Sequence, residues 1–254
     1  MGSYESMWID CTVKSISSGF FTQPVGKQMR VLVLSSGGKD STMASWWAKC
    51  KGWEISALVT VSVKGDDSWM FQIPGTSITK LHAEAQGIEW IEAEVSGEND
   101  VEVDELEHIL EPIVSNTDCP IDAIVCGALA SEYQRRRIER MSHRLGVISF
   151  TPIWHNKPRE HMKDLIDCGF EIMIVSVSSD GLNEEWLGRI IDAHLFARLE
   201  SIASEYRFSI DGEGGEYETV VIAGPHMSKR IEISGKTHWE GSRGEFLIDS
   251  AILV

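Results

Sequence analysis

The chain has 254 residues, 43% of them apolar and 24% charged, and its 39 acidic against 23 basic side chains leave a formal net charge of −16. That length carries one large domain or two modest ones, and the acidity disfavours broad binding to nucleic acid except through a local basic patch. No apolar run approaches the ~20 residues that span a bilayer and no secretory signal opens the chain, so a cytoplasmic protein without membrane contact is expected.

Residues 1–29 are polar, serine-rich and aperiodic, and read as an N-terminal extension. Their opening Met-Gly-Ser-Tyr-Glu-Ser formally fits an acylation pattern, but a Gly-Ser start also arises by chance or cloning. From Arg30 strands are expected at 30–34, 55–63, 88–95, 123–126 and 147–150, alternating with helices at 41–51, 76–86, 101–115 and 132–145. Apolar strands joined by helices of this length pair in parallel through right-handed crossovers, so residues 30–150 are expected to form a doubly wound, Rossmann-like α/β domain.

After Pro152 the pattern changes. A helix at 157–168 is expected, then the strand Glu171-Ile-Met-Ile-Val-Ser-Val, then a helix carrying Ile190, Ile191, His194, Leu195, Leu199 and Ile202 at helical spacing, with His194 half-exposed rather than a ligand. Segments 217–223, 230–234 and 246–254 alternate as strands, with Gly241-Ser-Arg-Gly244 as a hairpin turn. Residues 151–254 are therefore expected to form a smaller α+β domain on the substrate side. The cysteines Cys11, Cys50, Cys119, Cys126 and Cys168 are scattered and lack a C-x-x-C pair, which speaks against disulfides and zinc; most are expected to be small buried apolar residues.

In a doubly wound sheet, ligands bind beyond the carboxyl ends of the strands. The first such loop is Ser36-Gly-Gly-Lys-Asp-Ser41. Gly37 and Gly38 allow close approach and positive φ, the helix start favours an anion, Lys39 adds a point charge, and Ser36 and Ser41 offer hydroxyls. Asp40 fits as a helix cap or, through Mg²⁺, as a partner of phosphates; the plain alternative is a Gly-Gly turn with a capping aspartate. A second loop, from Gly127 and Ala128 into Glu132, Tyr133, Gln134 and Arg135 to Arg137, puts three arginines near a helix start, against the dipole preference. It is either a solvated basic face or a partner for an anion. The third, Gly212-Glu-Gly-Gly-Glu-Tyr-Glu-Thr219, is an ordinary turn or presents Glu213, Glu216 and Glu218 to ammonia, a metal or a cationic substrate.

The first loop resembles the pyrophosphate loop, or PP-loop, of the ATP pyrophosphatase superfamily, whose pattern is S-G-G-x-D-S/T. With G-A-L-A-S-E-Y-Q-R-R-R-I-E and G-E-G-G-E-Y-E-T-V-V, the chain after Met29 resembles the diphthine–ammonia ligase family, in its archaeal, single-module form. The segments Leu58-Val-Thr60, Ser68-Trp-Met-Phe71 with Pro74, Thr151-Pro-Ile-Trp154 and Gly181-Leu-Asn-Glu-Glu-Trp-Leu-Gly188 agree with it, while Gln72 stands where many relatives are expected to carry histidine.

The resemblance implies an adenine nucleotide alpha hydrolase-like fold and the ATP-dependent amidation of diphthine on translation elongation factor two. Ammonia would be the second substrate, an acyl-adenylate the intermediate, and AMP and pyrophosphate would leave with diphthamide. It implies ATP and Mg²⁺ held by Ser36, Gly37, Gly38, Lys39, Asp40 and Ser41, with Asp40 on the metal and adenosine near Val59, Thr60, Gly127 and Ala128. Lys39, Asp40, Glu213 and Glu216 would be catalytic, and Glu132, Tyr133, Arg135, Arg137, Glu218 and Thr219 would face the substrate. A tRNA-modifying PP-loop enzyme and a non-catalytic ATP sensor are the rival readings, although the zinc ribbon, thiol pairs or basic RNA surface common in the former are missing. Oligomeric state is open, a homo-oligomer included.

Overall fold

The computed structural model describes residues 28–63, 78–98 and 101–254. Residues 1–27 of the expected extension, Cys11, the segment from Ser68 through Gln72 to Pro74, and the expected helix start at Thr76 lie outside the described residues.

The first module runs β1 (Arg30–Leu34), α1 (Lys39–Cys50), β2 (Glu54–Val63), α2 (Ile78–Gln86), β3 (Glu89–Val95), α3 (Glu102–Val114), β4 (Ala123–Cys126), α4 (Glu132–Arg144) and β5 (Ile148–Phe150). Its five strands are all parallel in the order β3-β2-β1-β4-β5. Strand alternation sorts the core onto two faces. Val31 and Val33 pack with Ala44, Ala48, Leu58 and Ala83 under α1 and α2, and Leu32 packs with Val59, Leu106, Leu110 and Met141 under α3 and α4. The chain winds outward from β1 to β3, then crosses over α3 to β4 on the other side of β1. That reversal leaves a crevice between the carboxyl ends of β1 and β4, the switch point of such sheets. Leu34 is in register with both Val59 and Cys126, so β1 and β4 end level there while β2 runs on to Val63 along the crevice.

The second module comprises α5 (Pro158–Asp167), β6 (Glu171–Val177), a 3₁₀ turn (Glu184–Trp186), α6 (Ala193–Tyr206), β7 (Tyr217–Ala223), β8 (Ile231–Glu240) and β9 (Arg243–Leu253). Its antiparallel sheet has the order β7-β6-β9-β8. One face packs Ile172, Ile174, Tyr217 and Val221 against α5, α6 and Met43 and Trp46 of α1. The other packs Met173, Val175, Val220 and Ile222 against Ile78 and Leu81 of α2. The two modules thus share α1 and α2 as common walls.

Two expectations are corrected, at the start of α6 and for the cysteines. Ile190 and Ile191 precede α6, because Asp192 caps that helix by accepting from the Leu195 N–H at 2.7 Å; Ile190 instead bridges to Met173. The Gly181 to Gly188 segment serves the core, since Leu182, Trp186 and Leu187 are buried. Of the four described cysteines, none in a disulfide, only Cys126 is buried, and Cys50 and Cys119 are exposed. His194 is exposed on α6, as expected of a surface helix histidine.

A buried seam joins the modules. The Nε2–H of His82 on α2 donates to the Val221 carbonyl at 2.6 Å, and the Val221 N–H donates to the Gly37 carbonyl at 3.0 Å. Burial, only partly offset by that bond, drives the His82 pKa down to about 4 from 6.5. The unfolded chain takes up a proton as pH falls below 6.5 while the native ring does not, so this stabilisation is complete above pH 6.5 and lost towards pH 4. It amounts to roughly 3 kcal/mol at ~1.36 kcal/mol per pKa unit. His226, buried with a pKa near 3, acts in the same direction. Urea unfolding between pH 7.5 and 4.5 should show the fall, and His82→Gln should flatten it; an equal slope in that variant would refute the assignment.

Candidate active site

The loop after β1 turns through Gly37, whose φ of +80° suits a residue without a Cβ. Helix α1 starts at Lys39 with no side chain capping it at Gly38. Its leading N–H groups and dipole therefore face the loop as an anion site. Ser41 braces the turn: its Oγ accepts from the Ser36 N–H at 3.2 Å and lies 3.1 Å from the Gly38 carbonyl.

The loop after β4 presses against this turn. A Cβ on Gly127 would lie 2.5 Å from the Ser41 nitrogen and 2.6 Å from the Asp40 carbonyl carbon, so only glycine fits. Where the two loops meet, a cavity of about 450 Å³ opens at the switch point. Leu34, Val59, Val103 and Leu106 line its apolar part; Ser36, Asp40, Ser41 and Arg137 supply polar groups. The Arg137 guanidinium, 14% exposed, lies 4.8 Å over the Tyr133 ring, donates to the Tyr133 hydroxyl and stands 3.8 Å from Glu102. Burial pushes the Cys126 thiol up, which keeps that cavity residue protonated and unreactive.

The second module closes the site. From α5, the fully buried His161 places Nε2 2.7 Å from Asp40 Oδ1, while Lys39 Nζ lies 2.7 Å from Asp40 Oδ2. Burial raises the Asp40 carboxyl, but the His161 hydrogen bond and the Lys39 charge outweigh it and hold the group below its ordinary value. From β7, Thr219 Oγ1 accepts from the Lys39 N–H at 3.3 Å. Glu213 reaches the cavity from the loop before β7. Partial burial and then the nearby Asp40 charge push its carboxyl up, against the pull of Lys39 and the Ala130 N–H.

The cavity thus gathers Ser36, Asp40, Ser41, Val59, Gly127, Ala128, Tyr133, Arg137 and Glu213 of the residues expected at a site. The others stand elsewhere, each for a local reason. Thr60 alternates away from Val59, and its hydroxyl bonds Thr79 at 2.7 Å on the α2 face. Lys39 is buried beneath the loop against Asp40. Glu132 is tied to Arg135 and Arg136 along the outside of α4, and Arg135 also pairs with Glu139 and stacks 4.8 Å over Trp154. Glu216 folds into its own loop, accepting from the Ser209 N–H at 3.0 Å. Glu218 alternates to the face of β7 opposite Thr219, where burial and Glu245 raise its carboxyl. Thr219 holds the loop from behind rather than facing the cavity.

Sequence reasoning missed His161, His82 and the α3 wall. For α3 a signal existed in the apolar spacing of Val103, Leu106 and Leu110; for the histidines there was none, since both act across the module boundary. Among the described residues no three His, Cys, Asp or Glu side chains gather to hold a metal. An Mg²⁺ ion commonly takes only one or two protein carboxylates beside phosphate oxygens, so Asp40 suffices as such a ligand. The open helix start, the Gly127 cradle and the adjoining apolar wall together match a nucleoside polyphosphate in donor chemistry.

The diphthamide synthase N-terminal domain family matches residues 29–149 and the C-terminal domain family residues 157–254. Diphthine–ammonia ligase of Homo sapiens is 30% identical over 223 residues, covering 80% of this chain and 82% of that protein. The enzyme of that name from Danio rerio is 30% identical, covering 81% and 86%. That of Schizosaccharomyces pombe is 29% identical over 232 residues, covering 85% of this chain, which spans only 38% of that longer protein. The predicted subunit of tRNA methyltransferase from Methanocaldococcus jannaschii superposes with a TM-score of 0.42 at 17% identity, over 77% of this chain and 97% of that one.

Proposed function

Because the chain belongs to the diphthamide synthase family, we propose that it joins ammonia to the carboxylate of diphthine on translation elongation factor two at the expense of ATP. The reaction would run through an acyl-adenylate and give diphthamide, AMP and pyrophosphate. The observation that carries this reading is the meeting of three sequence-distant segments at one cavity: the Ser36–Ser41 loop, Gly127 and Glu213.

In this reading the α1 start and the Ser36 and Ser41 hydroxyls bind the terminal phosphates. Asp40 would hold Mg²⁺, which would offset phosphate charge, and Lys39, released from Asp40, would add a further positive charge. Val59 and Leu106 shelter the base. Bound ATP supplies a good leaving group in place of a carboxylate oxygen, and the protein's share is orientation and charge neutralisation. Arg137, already in the cavity wall, neutralises the carboxylate being activated. Glu213, a stronger base as a carboxylate because its pKa is raised, takes the proton that nitrogen sheds as the C–N bond forms and the bond to AMP breaks.

The test is incubation with ATP, ammonium and factor bearing diphthine. AMP should form only with all three present, together with the mass change of one acid-to-amide exchange on the factor. ADP in place of AMP, or AMP formed without the factor, would refute the proposal.

A further inference from the structure

We propose that His161 is a positioning residue of the phosphate-binding loop: its Nε2–H anchors Oδ1 of Asp40, so that Lys39 can leave Oδ2 for a bound polyphosphate without the carboxylate following it. The inference rests on reading the cavity as the ATP site.

An Asp40 carboxylate paired with Lys39 through Oδ2 only accepts at Oδ1, so the 2.7 Å contact puts the proton on His161 Nε2. The ring is fully buried and, among the described residues, its Nδ1 has no hydrogen-bond partner and Asp40 is its one hydrogen-bond contact. A ring that served only packing would be better replaced by an apolar side chain, because its unmatched nitrogen costs free energy. The two neighbours of Asp40 also differ in freedom. His161 is fully buried on α5, the helix whose Met162 and Leu165 enter the core, whereas Lys39 carries its charge on a flexible stem.

With both in place, Asp40 has one oxygen on the rigid partner and one on the movable partner. Remove His161, and both oxygens can close on the adjacent lysine, which withdraws the charge from phosphate and turns Oδ2 away from the cavity. His161 belongs to the second module and Asp40 lies 121 residues earlier, so the contact also sets how tightly the two modules close on the site.

Calorimetric titration of His161→Leu, which keeps the volume without the donor, should show ATP and pyrophosphate bound about tenfold more weakly. His161→Gln, with an amide N–H in place of Nε2–H, should recover most of that loss. In turnover the leucine variant should raise KM for ATP more than it lowers kcat. Unchanged affinities with only a lowered melting temperature, or a glutamine variant no better than leucine, would overturn the proposal. Nitrogen-15 histidine spectra of the unaltered protein give an answer that needs no variant. The His161 Nε2 signal should keep its hydrogen-bonded position as pyrophosphate is added, and loss of that signature at saturation would also overturn it. Should the unaltered protein bind ATP yet release no factor-dependent AMP, the ligase reading fails while the binding comparison still decides the role of His161.

Discussion

Gly127→Ala is expected to cost the protein both stability and nucleotide binding. Its Cβ would stand 2.5 Å from the Ser41 nitrogen, 2.6 Å from the Asp40 carbonyl carbon and 2.7 Å from the Asp40 oxygen. All three are backbone atoms, so no side-chain rotation relieves the overlap. The loop after β4 must back away from the Ser36–Ser41 loop by several tenths of an ångström, where both loops feed one cavity. Overpacking of this kind costs about 1–3 kcal/mol. At ~2–4 °C per kcal/mol for a chain of this size, thermal melts should register it. ATP affinity should fall by more than about tenfold, since each misplaced donor removes part of a charge-assisted bond. Gly52→Ala is the control, because Gly52 also has positive φ, at +72°, but faces open space. That variant should lose a little stability and no affinity. Equal ATP binding in the two variants would show that the close approach does not shape the site.

The second large effect is expected at the Lys39–Asp40 pair, where the two alanine variants should behave differently. Lys39→Ala should reduce factor-dependent AMP release by about a hundred- to a thousandfold, the usual range for one electrostatic contact to developing charge. Its stability should be nearly intact, because Asp40 keeps His161 and partial access to the cavity. Asp40→Ala should lose activity to a similar degree and also destabilise the fold by about 3–5 kcal/mol, since it strands a buried lysine beside an unpaired histidine. Both variants should be compared in urea unfolding and in the AMP assay. Full turnover in Lys39→Ala would remove the lysine from the phosphate site. Equal stability of the two variants would mean that the buried pair contributes little.

The loop from Ser36 to Ser41 could be placed from the sequence because its parts are local. Two glycines, a lysine, an aspartate and flanking serines sit between an apolar strand and a helix, and strand-to-helix loops of parallel sheets face the ligand edge. Val59 and Thr60, both expected near adenosine, part for an equally local reason. Adjacent strand residues point to opposite faces, so only one side chain can face the cavity. Glu218 and Thr219 repeat that case on β7. The three adjacent arginines near the start of α4 likewise divide by helical position: Arg137 reaches the cavity, Arg136 is 63% exposed, and Arg135 lies over Trp154.

The order of strands and helices, the two modules, the position of the Ser36–Ser41 loop and the candidate motifs were determined by the amino-acid sequence alone, because each is written in periodicity or in residues a few positions apart. Only the tertiary structure decided that β4 pairs with β1 on the side away from β2, that the β7 sheet lies across α1 and α2, and that His161 and Thr219 grip the loop from behind. The physical reason is range. Local pattern sets which residues share a face, but which faces meet is settled by packing the whole core at once, and no spacing in the chain records a hydrogen bond between residues 121 positions apart.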